Sequence, residues 1–254
     1  THADAEYMGG KDLGKKRYWK YTTDHKVVGI QYLIVTMLLL GFAGLLAMLI
    51  RTELGMTWTE LFSPSFYNSM IGTHGIAMIL AMIVAVTGPL GNFIVPMMIG
   101  ARDMAYPRLN ALSLWLFVAA VPMLISSMFM GGIQDGWSVY QPLASQAPVG
   151  MLGYQLTIIV FAISTAIASV NLMTTILTMR AKGMTWSRTP IFVYGIFAAS
   201  LMGLYAFPFF QYAQILGLSD RVFGTSFFNP LNGGSVWLYE NLFWLLGHPE
   251  VYVI

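Results

Sequence analysis

The chain has 254 residues and no cysteine. That excludes disulfides and thiolate metal sites, so any metal must be held by His, carboxylate or Met. Charge is also scarce: Asp, Glu, Lys and Arg make up 9% of the residues, against roughly 25% in a soluble domain. Thirteen basic and eleven acidic residues cannot clothe such a chain in water, so lipid must cover most of its surface. A net charge of +2 leaves no electrostatic footprint for nucleic acid. Repeats, low-complexity runs and soluble linkers are missing. The polar, basic start from Thr1 to Lys20 lacks the apolar run of a cleavable signal. It opens on Thr rather than Met, which predicts that the numbering begins inside a longer chain.

What fills the sequence is apolar: 57% of residues, arranged in six stretches long enough to span a bilayer. They run over 27–50, 68–99, 109–131, 152–179, 190–216 and 235–254. The predicted fold is an all-α membrane protein, with a cytoplasmic segment over 1–26 and a membrane domain over 27–254. The sixth stretch is still apolar at Ile254, which predicts that its helix is completed by further chain. With the N-terminus in the cytoplasm, Lys11, Lys15, Lys16, Arg17, Lys20, Lys26, Arg102, Arg108, Arg180, Lys182 and Arg188 lie inside. Only Arg51 and Arg221 of the thirteen bases lie outside, a strong positive-inside bias.

Polar groups inside spans are costly and therefore candidates for function. His74 sits among Gly72, Gly75 and Ala77 in the second span. Small neighbours leave room for a flat macrocycle, and imidazole is an axial ligand for haem iron. A His hydrogen-bonded to a neighbouring helix also fits these residues, and from the residues alone fits them better. His248 and Glu250 lie about 20 Å into the sixth span at 1.5 Å per residue, near mid-bilayer. Pro249 between them removes one backbone hydrogen bond. Tyr252, at i+4, shares the face of His248, while Glu250 points elsewhere. An imidazole, a phenol and a buried carboxyl suit combined redox and proton chemistry, and a Pro-kinked helix with paired polar groups also fits. Asp103, between Arg102 and Arg108, reads as a solvated loop charge or as the mouth of a proton path. Asn92, Asn110, Ser164, Thr165 and Asn171 are amides and hydroxyls that either hold water in file or bridge helices. Arg51 closes the first span, where it snorkels to headgroups. The eighteen methionines and many aromatics read as packing and lipid-facing residues.

Local sequences then fall into a recognisable order. Thr23-Asp24-His25-Lys26 opens the first span and Arg51-Thr52-Glu53-Leu54-Gly55 closes it; Tyr67-Asn68 leads to Thr73-His74-Gly75. Gly91-Asn92-Phe93 and Val95-Pro96 precede Ile99-Gly100-Ala101-Arg102-Asp103-Met104-Ala105-Tyr106-Pro107-Arg108-Leu109-Asn110. Gly136-Trp137-Ser138-Val139-Tyr140 and Phe227-Phe228-Asn229-Pro230 follow, then Trp244 and Gly247-His248-Pro249-Glu250-Val251-Tyr252. Over residues 21–254 the chain resembles subunit I of the haem–copper terminal oxidases, of the large mitochondrial-like class.

The resemblance implies the first half of a twelve-helix bundle with its sixth helix truncated. It implies a cytochrome c oxidase that reduces dioxygen to water and pumps protons. His74 becomes one of two axial ligands of a low-spin haem, of the haem A type, with Arg51, Tyr67 and Trp137 around that haem. Glu53 matches a residue that helps bind a structural cation. His248 becomes one of three copper B ligands, Tyr252 the redox tyrosine linked to it, and Trp244 a neighbour of the binuclear centre. Asp103 becomes the entrance of a proton channel lined by Asn92, Asn110, Ser164 and Thr165 and ending at Glu250. The high-spin haem and the remaining ligands would come from the other half of subunit I. Implied partners are a copper-bearing subunit II, subunit III, cytochrome c or a similar donor, and lipid. The implied location is a bacterial or archaeal plasma membrane, or the mitochondrial inner membrane with the N-terminus in the matrix.

Three departures from the family pattern stand out: Arg102 where Pro is usual, Ala111 for a second Asn, and Glu240-Asn241 for Gln-His. Arg102 beside Asp103 is expected to lower the carboxyl pKa. A quinol oxidase is the other donor class, but its quinone-binding positions are here Leu40, Gly44, Phe66 and Ser69. Nitric-oxide reductases share the fold but lack the path from Asp103 to Glu250. From a different class, a cofactor-free transporter or scaffold would use His74 and Glu250 as a substrate relay.

Overall fold

The computed structural model describes residues 18–253. The expectations for Lys11, Lys15, Lys16, Arg17 and Ile254, and most of the proposed cytoplasmic segment, lie outside the described residues. Every regular element among the described residues is a helix.

Helix α1 (His25–Gly55) starts where Asp24 accepts the backbone N–H of Lys26 at 2.8 Å, a side-chain cap for donors the helix leaves unpaired. Helix α2 (Pro64–Ala85) is capped by Ser63 and opens on proline, whose fixed φ suits a first turn. It runs through a π-helical turn (Val86–Gly91) around Pro89 into α3 (Asn92–Ile99), which ends on Gly100 at φ 71°. Helices α4 (Pro107–Phe129), α5 (Leu143–Gln146), α6 (Gly150–Thr178) and α7 (Ile191–Phe223) follow. Then come α8 (Val236–Gly247) and α9 (Glu250–Val253).

Five helical segments are long and apolar enough to cross a membrane: α1, α2 with α3, α4, α6 and α7. The sixth apolar stretch is helical but broken at His248-Pro249 into the short α8 and α9. Proline has no N–H to continue the ladder, which is the local reason for the break. The outward face of α1 carries exposed Leu33, Met37, Leu38, Leu45 and Met48. A helix apolar all round belongs in lipid or a large core. The chain is a multi-pass membrane protein.

Helix α1 lies along α2, α4 along α6, and α6 along α7, with α8 on α7. The main core runs through all of these around Tyr154, Tyr239, Phe117, Phe161, Phe207 and Phe243. The loop over residues 130–142 folds back onto α2. Gly132 sits at φ 58°, where a Cβ would strike the side chain of Ser69. A Cβ on Gly75 would lie 2.9 Å from Trp137 Cβ. Both glycines are therefore required for the loop to reach the helix. Val139, fully buried, is held at φ 53°, an uncommon conformation for a β-branched residue that this tight seating imposes.

Gly75→Leu tests that seating. The added side chain should displace Trp137 and cost about 1–3 kcal/mol. A lower thermal midpoint of the assembled complex, with altered tryptophan fluorescence, is the expected reading.

Candidate functional site

His74, on α2, is half-buried and its Nδ1 lies 2.9 Å from the carbonyl oxygen of Ala43 on α1. A carbonyl only accepts, so Nδ1 is the donor and, in the neutral ring, Nε2 is the nitrogen with the free lone pair. That is the arrangement a metal-binding imidazole needs, with its other nitrogen oriented by a backbone acceptor. The donor chemistry therefore fits iron ligation. Two of the small residues around His74 also admit the chain's own loop: Gly72 faces Ile133 and Gly75 faces Trp137.

Tyr67 packs beside a small cluster of Leu46, Met70 and Met128, and Arg51 is exposed at the end of α1. Glu53 turns back on the loop: its Oε2 accepts the N–H of Leu61 at 3.1 Å and of Phe62 at 3.3 Å. Among the described residues no three His, Asp or Glu side chains converge on a point.

At the break between α8 and α9, His248 Nε2 is 2.7 Å from the Tyr252 hydroxyl, with ring centroids 4.9 Å apart. Both side chains are exposed, Tyr252 at 63%. Glu250 turns the other way and is 7% exposed. The i+4 spacing across Pro249 thus separates a phenol–imidazole pair on one face from a carboxyl on the other. Trp244 donates from Nε1 to the Tyr140 hydroxyl at 2.6 Å, and its ring meets Trp137 edge-on at 6.0 Å. A cavity of about 10 Å³ beside Glu250 is walled by Trp137, Phe207, Phe210, Phe243 and Ile83.

The polar residues toward the other end also gather. Asp103 is half-buried in the turn between α3 and α4, and its Oδ1 accepts the N–H of Met104 at 2.7 Å. Burial raises its pKa above the usual carboxylate value, partly offset by the Met104 N–H and by nearby His25. The expected lowering by Arg102 is therefore overturned, because desolvation outweighs the charges nearby. Asn171 bridges, one of the two readings its sequence position allowed. Its amide clamps the Tyr106 backbone, accepting from N at 2.9 Å and donating to O at 3.2 Å.

Asn92 donates to Gly88 O at 2.7 Å but leaves Oδ1 unpaired, and fully buried Asn110 leaves both side-chain atoms unpaired. Buried orphan amides call for water. Ser164 donates to Ser113 O at 2.6 Å, and Thr165 donates to Phe161 O at 3.0 Å. Both line a cavity of about 20 Å³ with Tyr32, Ser169, Ile83 and Phe207. That is room for about one water. Three residues missed in the sequence belong to this set. Tyr32 meets Ser113 at 2.9 Å, and His25, buried, donates from Nδ1 to Asn92 O at 2.9 Å. Each is a polar group within or at the end of a span, so the rule that found Ser164 would also have found them.

Residues 27–254 match the family described as cytochrome c and quinol oxidase polypeptide I. The chain is 41% identical over 239 residues to cytochrome c oxidase subunit 1 of Thermostichus vulcanus, covering 93% of this chain and 43% of that protein. It is 40% identical over 240 residues to cytochrome c oxidase subunit 1 of Bacillus subtilis, covering 93% and 39%. It is 38% identical over 242 residues to heme-copper oxidase subunit I+III of Aeropyrum pernix, covering 93% and 29%. The chain thus spans less than half the length of these relatives. A match across the five long helices and the broken sixth leaves one assignment: the chain belongs to the cytochrome c and quinol oxidase polypeptide I family.

Proposed function

We propose that this chain is the N-terminal portion of the catalytic subunit of a respiratory terminal oxidase. The enzyme reduces dioxygen to water with electrons from cytochrome c and moves protons across the membrane. The observation that carries this reading is the His248–Tyr252 pair at 2.7 Å, set back to back with a buried Glu250 at a break in an apolar helix. In this reading α8 and α9 form a sixth span, and the six spans are half of a twelve-helix bundle. The N-terminus lies on the cytoplasmic or matrix side of a bacterial or archaeal plasma membrane or the mitochondrial inner membrane.

His74 Nε2 would hold the iron of a low-spin haem of the A type, with Arg51, Tyr67 and Trp137 beside it. His248 would give one ligand to copper B, near Trp244. The high-spin haem and the remaining ligands belong to the rest of subunit I, and Glu53 would help hold a structural cation at the outer end of α1. Bound, the haems and copper supply electron transfer and oxygen reduction. The chain's own residues orient His74 through Ala43 O and keep a phenol against His248. They also hold water between Asp103 and Glu250 on Asn92, Asn110, Ser164 and Thr165. Subunit II with its copper centre, subunit III and lipid complete the assembly. A quinol donor is less well supported: Leu40, Gly44 and Phe66 offer no polar group, and Ser69 donates to Met128 O at 3.3 Å.

Oxidised and reduced absorption spectra of the purified complex test the reading. Haem bands are expected; a complex without them overturns it and favours the cofactor-free transporter or scaffold.

Asp103→Asn should slow proton uptake from the inner side while leaving those bands unchanged. It also carries a stability signature. The folded pKa of Asp103 lies above its unfolded value, so its ionisation opposes folding. That penalty is absent below the unfolded pKa and grows as pH rises through the folded pKa. Relative to the native protein, the Asn variant should gain thermal stability at neutral pH and none in acid.

A further inference from the structure

Under the outer loop lies a second buried polar group that the route from Asp103 to Glu250 does not use. Gln141 is 4% exposed and Gln155 2% exposed, and the Oε1 of each has no hydrogen-bond partner. They meet at Gly217, where a Cβ would lie 2.9 Å from Gln155 Nε2 and 3.1 Å from Gln141 Nε2. Any larger residue on α7 would close this space. Gln214, one turn away, donates to the Tyr239 hydroxyl at 3.2 Å, and Tyr239 donates to Ser138 O at 3.0 Å. Tyr154 donates to the neighbouring carbonyl of Trp137 at 3.3 Å. Asp135, in the same loop, has a buried Oδ2 without a partner.

Three orphan acceptors in one region, two of them on side chains more than nine-tenths buried, find no donor among the described residues. Water is the donor that fits between amides and a carboxylate. The loop that carries Asp135 also puts Trp137 into the wall of the Glu250 cavity.

We propose that Gln141, Gln155 and Asp135 hold ordered water under the outer loop, and that Asp135 is a proton-release group on the outer side. It takes a proton from the water cluster as a neutral carboxylic acid. It then gives that proton to the outer medium and returns to carboxylate. The titratable and charged groups facing this outer connection include Tyr140 within it, Tyr154 from α6, Tyr239 from α8 and Arg221 from α7, whose guanidinium donates to the carbonyls of Ala144, Ala147 and Pro148. Helix α2 faces it with Ser65, Ser69 and glycines, and α7 with Gln214 and Gly217. Burial raises the Asp135 pKa and favours the neutral form the cycle requires.

This inference rests on the oxidase reading, and the test separates the two. The assembled oxidase is placed in vesicles, and outward proton release is measured beside oxygen uptake. Asp135→Asn should cut release per oxygen by half or more with haem bands intact, and Asp135→Glu should restore it. Gln155→Leu should weaken release in the same direction. Redox-difference infrared spectra should contain a carboxylic C=O band that Asp135→Asn removes. Native complex without haem bands defeats the oxidase reading. Haem-loaded Asp135→Asn enzyme with native release and no missing band defeats this one, as does a high-resolution map without water at Gln141 and Gln155.

Discussion

Tyr252→Phe should leave an assembled, haem-containing complex whose oxygen uptake is reduced about 10²-fold or more, the scale on which a positioned proton donor contributes. The substitution deletes one oxygen atom. The ring remains 4.9 Å from the His248 ring, the i+4 geometry across Pro249 is kept, and the aromatic surface is unchanged. What disappears is the hydroxyl 2.7 Å from His248 Nε2. Tyr252 is exposed in this chain, so the hydroxyl supports little of the fold around it. A large loss of turnover with unaltered spectra would therefore point to chemistry at the hydroxyl. Oxygen electrode traces and optical spectra on the same preparation make the comparison, and a fully active variant ends the assignment of Tyr252.

The spans were legible because lipid imposes length and apolarity on each helix independently, and Pro249 marked the break within the sixth. His248 with Tyr252 was legible because both lie within one helical turn of each other. Contacts between distant segments were not. The glycines flanking His74 face Ile133 and Trp137, about sixty residues further along the chain, a contact that no local pattern announces. Arg102 read as the dominant neighbour of Asp103 because it is adjacent in sequence; the fold instead buries the carboxyl close to His25. Asn171 read as a water carrier or a bridge, and packing makes it a clamp on Tyr106. Asn92 and Asn110 became more informative in three dimensions, since only burial reveals that their amide atoms lack partners. Two signals went unused. Gln141 and Gln155 are polar residues in or beside spans, and nothing local sets them apart until Gly217 brings them together.

Glu250→Gln should slow turnover by about 10- to 10²-fold and abolish outward proton movement, with the spectra of the complex unchanged. Two small cavities adjoin residues of the proposed route. The first, about 20 Å³, is lined by Ser164, Thr165 and Tyr32; the second, about 10 Å³, lies beside Glu250. Ile83 and Phe207 line both and contribute no polar atom where the two approach. A water needs at least about 10–15 Å³ and two polar partners, so the second cavity barely admits one and its apolar walls hold it poorly. Water alone therefore does not bridge the step between the cavities. A side chain that can carry a proton and reorient is required, and Glu250 is the ionisable residue lining the second cavity. Glutamine has nearly the same shape and fills the same space, but its amide does not exchange a proton at comparable cost. Stability and haem content should therefore stay close to native while proton delivery fails. Time-resolved proton uptake in the vesicle-reconstituted complex measures the step directly, and uptake as fast as native in Glu250→Gln would remove Glu250 from the route.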